Sequence, residues 1–196
     1  MPDFAAFQAL RHALLPHPAT PAPMVGAIDT DVATLADGSL AFRYRLRGDM
    51  ARLRIPAAAA PERGDLLWQH TCFEAFVGRQ GDAGYREFNF SPSGRWAAYD
   101  FGAYRQRLAD PTLAAPRITM RTTDGRLELE AVVPLPSLPF AADGESWEIG
   151  LTAVVEAVDT VNDGLSYWAL RHSAPRPDFH LRDGFALRHP CRSLTE

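Results

Sequence analysis

The chain has 196 residues, 46% of them hydrophobic and 22% charged, which is enough apolar material to close one core without disulfide or metal staples. A formal net charge of -4 with scattered arginines leaves no basic footprint, so neither nucleic acid nor an anionic membrane is expected as a partner. No apolar run reaches bilayer length, and the first residues are broken by Gln8, Arg11 and His12 before a run of prolines; this is unlike a secretory leader, and a cytoplasmic location is expected.

Phe4, Phe7, Leu10 and Leu14 recur at helical spacing and predict a short amphipathic helix, with Leu14-Leu15-Pro16 as the alternative end of an edge strand. The string PHPATPAP, Pro16 to Pro23, cannot supply regular backbone donors and reads as an extended connector. Residues 1–24 are thus expected to be an N-terminal extension packed on a single domain of residues 25–196.

From Val25 the pattern turns to β. Val25 to Leu35, Leu40 to Leu46, Arg52 to Ile55, Leu67 to Val77, Tyr85 to Phe90, Arg95 to Tyr104, Ile118 to Thr122, Leu127 to Val133 and Trp147 to Val158 alternate or are rich in β-formers. Turn strings such as ADGS, RQGDAG, SPSG and TTDGR separate most of them. No long helical pattern falls between consecutive strands, so an all-β, antiparallel, two-sheet β-sandwich with little helix is expected rather than a parallel βαβ fold.

On an extended strand over LWQHTCFEAF, Trp68, His70, Cys72, Glu74 and Phe76 would share one face, and Gln69, Thr71, Phe73, Ala75 and Val77 the other. The second set ends as core, which turns Glu74 to the outer face. In YREFNF, Phe88 and Phe90 alternate in the same way with Tyr85, Glu87 and Asn89. An indole, an imidazole, carboxylates, an amide and Arg95 gathered on one sheet face suit a polyhydroxylated ligand: rings cover the C–H faces of a sugar while the polar groups meet its hydroxyls. The competing explanation is an exposed sheet face stabilised by cross-strand pairs.

The strings LWQHTCFEAFV, YREFNFSPSGRWAAY and SYWALRH, followed by PDFH and DGFAL, resemble the bacterial DOMON-like domains related to carbohydrate-binding module family 9, over roughly Val25 to Leu187. The resemblance implies an immunoglobulin- or jelly-roll-like β-sandwich that binds a small ligand, either a sugar or haem. It further implies a sugar held between two tryptophans, Trp68 and Trp168, with Glu74 accepting and Arg95 donating hydrogen bonds; the outer-face pattern itself adds His70 and Asn89 in secondary places. The amide expected three residues before the second tryptophan is Leu165 here, and only a shift brings Asn162 or Asp163 into play.

The expected function is therefore non-catalytic binding of a sugar-like small molecule. Haem is the alternative cofactor, although Met24, Met50 and Met120 lie outside the matching strings, and calcium is a further candidate. A glycoside-processing enzyme using Glu74 and Glu87 is the third reading; it requires one carboxyl whose surroundings raise its pKa. His70, Cys72, His172 and His180 match no recurrent metal spacing, so no metal site is expected. The proline-punctuated segment from Trp168 to His180 reads either as a loop closing over the ligand face or as a wrap in which Trp168 fills the core.

Overall fold

A computed structural model describes residues 10–142, 144–158 and 164–191. Its strands are β1 (His12–Pro16), β2 (Val25–Thr34), β3 (Leu40–Gly48), β4 (Cys72–Arg79), β5 (Tyr85–Phe90), β6 (Trp96–Phe101), β7 (Arg117–Thr123), β8 (Arg126–Val133), β9 (Ser146–Glu156), β10 (Leu165–Ala169) and β11 (Leu187–Pro190). Helix among the described residues is confined to short 3-10 turns. Pairing is antiparallel along the path β6-β5-β4-β9-β10-β1-β2-β3-β8-β7, with β11 added to β9. The path curls until its halves face each other. Phe42 of β3 stacks on Phe90 of β5 with ring centroids 6.0 Å apart, and Tyr44 of β3 meets Phe73 of β4 at 4.9 Å.

The period-2 pattern decides what is buried. From β4 come Phe73, Ala75 and Val77, from β5 Phe88 and Phe90, and from β9 Ile149, Leu151, Ala153 and Val155, all in one apolar cluster with Ile28, Leu46, Leu127 and Leu129 of the other half. Each fully buried large side chain of this kind contributes about 1.5–3 kcal/mol. The β5–β6 hairpin depends on Gly94 at φ 93, a left-handed conformation that a side chain would resist. It fixes the register Asn89↔Ala97 and Glu87↔Tyr99.

The opposite face of β4 and β5 is also covered. Phe76, Tyr85, Tyr99, Phe101 and Phe185 form a second buried cluster, with Leu67 and Phe179 packed against it. The C-terminal loop is clamped there by Arg182, which donates to the Arg79 carbonyl (2.7 Å) and to Glu148 (2.9 Å). A Cβ at Gly78 would lie 1.9 Å from Nη1 of this arginine, so only glycine lets the guanidinium lie down on the strand.

Several expectations are corrected. Residues 12–16 form β1, which pairs with both β2 and β10 and joins the two halves of the path; the remainder of the predicted N-terminal helix falls mostly on residues 1–9, outside the described residues. The strand expected from Leu67 begins only at Cys72, because Leu67–Gln69 is a 3-10 turn entered through Leu66 at φ 57. Arg52 to Ile55 contributes a single bridge, Leu53↔Ala157. Leu165–Ala169 is β10, so the segment read from Trp168 as a loop or wrap begins inside a strand, whose alternation places Tyr167 and Trp168 on opposite faces.

Candidate functional site

Where β4, β5, β6, β9 and β10 turn their outer face to three loops, a cavity of about 910 Å³ opens. The strands supply Glu74 and Phe76, Glu87, Tyr99 and Phe101, Val154, and Tyr167; the loops supply Asp65, Leu66 and Trp68, then Arg105 and Arg107, then Arg176, Pro177, Phe179 and His180. Among the described residues, Leu66 (φ 57) and Arg105 (φ 52) are the non-glycine residues with positive φ, and both line this cavity. Such conformations cost free energy and concentrate at functional sites.

Glu74 and Glu87 form the floor, only 3% and 6% exposed. Burial drives the Glu74 carboxyl well above the usual carboxylate range, and the charge of Glu87 drives it further. Thr152 donates to Glu74 Oε2 at 3.2 Å and opposes the shift. Burial also raises Glu87, against the 2.6 Å hydrogen bond from Asn89 Nδ2 and the charges of Arg105 and Arg107. The charge of Glu87 thus disfavours ionisation of Glu74, and a carboxyl pair of this kind titrates as a unit.

Tyr85 and His180 stand beside Glu87. The Arg105 amide donates to the Tyr85 hydroxyl (3.2 Å), which lies 2.9 Å from Nδ1 of His180, and Nε2 of that ring lies 3.8 Å from Glu87 Oε2. Desolvation pushes His180 down to about 4, so the ring is neutral at physiological pH. The neutral tautomer in which Tyr85 donates to Nδ1 is the one that carries its proton on Nε2, the nitrogen nearer Glu87.

The residues singled out from sequence divide sharply. Glu74 lies in the floor and Trp68 on the rim, where the indole is 41% exposed. Asn89 is fully buried behind the floor and acts on Glu87 rather than on the cavity. Trp168 is only 4% exposed: it faces the core, donates from Nε1 to Ser166 (3.0 Å), and so is not an opposing ring. Arg95 pairs with Glu62 (2.7 Å) outside the lining, because the SPSG turn carries it past the floor. His70 leaves the strand face with the 3-10 turn and pairs with Glu156 at 2.8 Å. Asn162 and Asp163 lie outside the described residues.

Sequence reading missed Tyr99, Phe101, Tyr167, Arg105 and Arg107. The first two continue the outward alternation of β6 and were within reach of the pattern; the arginines come from an irregular loop that carries no periodic signal. The segment ending in His180 does close over this face, with Arg176, Phe179 and His180 in the lining.

Among the described residues no group of three His, Cys, Asp or Glu side chains is disposed to hold a metal ion, and no helix is long and apolar enough to cross a membrane. The cavity contains no methionine, and both nitrogens of its one histidine face protein groups.

The sequence matches no protein-family model and no curated protein. The fold is similar to that of a protein from Bacteroides uniformis ATCC 8492, provisionally named as carbohydrate-binding, with a TM-score of 0.65 at 18% identity over 90% of this chain and 84% of that one. It is also similar to a family 9 carbohydrate-binding module from Caldicellulosiruptor kristjanssonii in complex with cellotriose, with a TM-score of 0.52 at 10% identity over 83% and 72% of the two chains. The likeness to both is one of fold.

Proposed function

We propose that the protein is a non-catalytic binding module of two-sheet β-sandwich form, and that the cavity floored by Glu74 and Glu87 holds a sugar or a sugar-like polyol. The observation that carries this reading is a buried carboxyl pair surrounded by Trp68, Phe76, Tyr99, Tyr167 and Phe179. Aromatic faces take the C–H surfaces of a pyranose while the pair exchanges hydrogen bonds with its hydroxyls. The fold shared with carbohydrate-binding proteins is consistent with this. The sugar rests on Trp68, with Tyr99 and Tyr167 replacing the opposing tryptophan that the resemblance implied. Calorimetric titration with mono- and disaccharides tests the proposal: saturable heat is expected from the native protein and none from Trp68→Ala.

A second reading, glycoside processing by Glu74 and Glu87, draws on the upward shift of both carboxyls, since a general acid must keep its proton at neutral pH. Hydrolysis of chromogenic glycosides that disappears in Glu74→Gln would replace the binding reading with this one.

A further inference from the structure

We infer that the ligand is a polyol carrying one anionic group, seated with its hydroxyls toward the carboxyl floor and its anion among the arginines of the rim. This rests on the sugar-binding reading above and adds the charge class of the ligand.

Floor and rim carry opposite chemistry. The floor repels an anion, because the two carboxyls already disfavour each other's ionisation there. The rim carries Arg105, Arg107 and Arg176; guanidinium can donate to a neutral hydroxyl, but its strongest partner is an anion. Their charges are unevenly matched. Arg105 has a full partner in Asp178 (2.9 Å), which also accepts from Tyr104 (2.6 Å). Arg107 shares Asp110 (2.8 Å) with Arg63 (3.0 Å), so one carboxylate serves two cations. Asp65, the remaining rim carboxylate, accepts from Tyr99 at 3.2 Å and also acts through its charge on Arg107. Among the described residues none pairs with Arg176, which stands exposed between Pro175 and Pro177.

These positive charges reach the cavity rather than only the solvent. Arg105 and Arg107 both lower the pKa of Glu87, and Arg105 lowers that of His180. Arg107 sits over the Tyr99 ring, its guanidinium carbon 4.3 Å from the centroid, with one Nη on Asp110; guanidinium is the side chain whose planar fork matches carboxylate or phosphate. A free anion such as inorganic phosphate would satisfy the rim and leave the floor and aromatic walls unused. A molecule with hydroxyls at one end and a carboxylate or phosphate at the other uses all three.

The test is calorimetric titration of the whole chain with matched pairs: D-glucose against D-glucuronate, D-galactose against D-galacturonate, and D-glucose against D-glucose 6-phosphate. In at least one pair the acidic member is expected to bind roughly tenfold more tightly, the scale of one charge-assisted hydrogen bond, with an advantage that shrinks in high salt. Arg176→Gln should reduce the acid-to-neutral affinity ratio severalfold, whereas Arg121→Gln on β7, in the other half of the path, should leave the ratio unchanged. The uronate and phosphate arms identify the anion. Neutral members binding as tightly as their acidic partners would overturn the inference and leave the sugar-binding reading standing. An acid preference untouched by Arg176→Gln and by salt would also overturn it. Binding by no member of any pair would remove both.

Discussion

The hydroxyl of Tyr44 donates a 2.6 Å hydrogen bond to the backbone carbonyl of Glu74. Tyr44 is fully buried and belongs to β3, so this bond ties the strand carrying the cavity floor to the opposite half of the curled sheet. Tyr44→Phe keeps the ring against Phe73 and removes only the bond. We expect a loss of about 1 kcal/mol of stability, the usual net worth of one buried hydrogen bond. It would be read as a lower denaturant midpoint at constant slope; an unchanged midpoint would mean the bond contributes nothing.

The two tryptophans once paired by resemblance should behave oppositely. Trp168 packs in the core, so Trp168→Ala is expected to cost about 3–5 kcal/mol through the cavity it leaves. Trp68 stands on the rim, so Trp68→Ala should leave stability within roughly 0.5 kcal/mol while abolishing sugar binding. Thermal unfolding of the two variants side by side checks this; equal destabilisation would contradict the placement.

Much of the fold was legible because burial follows the period-2 pattern. The alternation of Phe73, Ala75 and Val77 with Glu74 placed that carboxylate on the outer face of β4, and the structure has it there. What the pattern could not show is that this outer face is roofed. Loops around Leu66, Arg105 and Phe179 have no periodicity, and their contribution depends on left-handed backbone at Leu66 and Arg105, residue types that do not advertise it. The same blindness misplaced His70: LWQHTC scans as a strand, yet a 3-10 turn precedes Cys72 and swings the imidazole toward Glu156. Trp168 was misjudged for the opposite reason. It sits in a true strand whose parity turns it inward, a fact fixed by the pairing Trp168↔Ala153 and invisible without the partner.

Stability should depend on pH through the floor. A carboxyl whose folded pKa lies above its ordinary value of 4.5 binds more protons folded than unfolded between the two values, so its stabilising contribution is full below pH 4.5 and is lost as pH rises through the folded value. Glu74→Gln removes this loss, and the stability of the variant relative to the native chain should therefore improve as pH rises from 4.5 toward the alkaline side. His180 acts in the opposite direction between about 4 and 6.5 and is present in both proteins, while Glu87, freed of its carboxyl neighbour in the variant, is less disfavoured as an anion there and adds to the same trend. Denaturant titrations at a series of pH values measure the trend; a flat difference would mean that Glu74 is solvated in the native state.

Gly78 and Arg182 should be energetically coupled. Gly78→Ala places a methyl 1.9 Å from Nη1 of Arg182 and is expected to destabilise by about 1–3 kcal/mol, the scale of overpacking. In an Arg182→Ala background the same change should cost much less, which a double-mutant cycle resolves. Equal costs in both backgrounds would show that the arginine does not lie against β4.

The most direct test of the central claim is a crystal structure of the protein with a bound sugar, chosen as the tightest binder by calorimetry. The account predicts the sugar ring against Trp68, with a hydroxyl within hydrogen-bonding distance of the Glu74 carboxyl. A sugar bound at any other surface, with the Glu74–Glu87 cavity empty of it, would contradict the account.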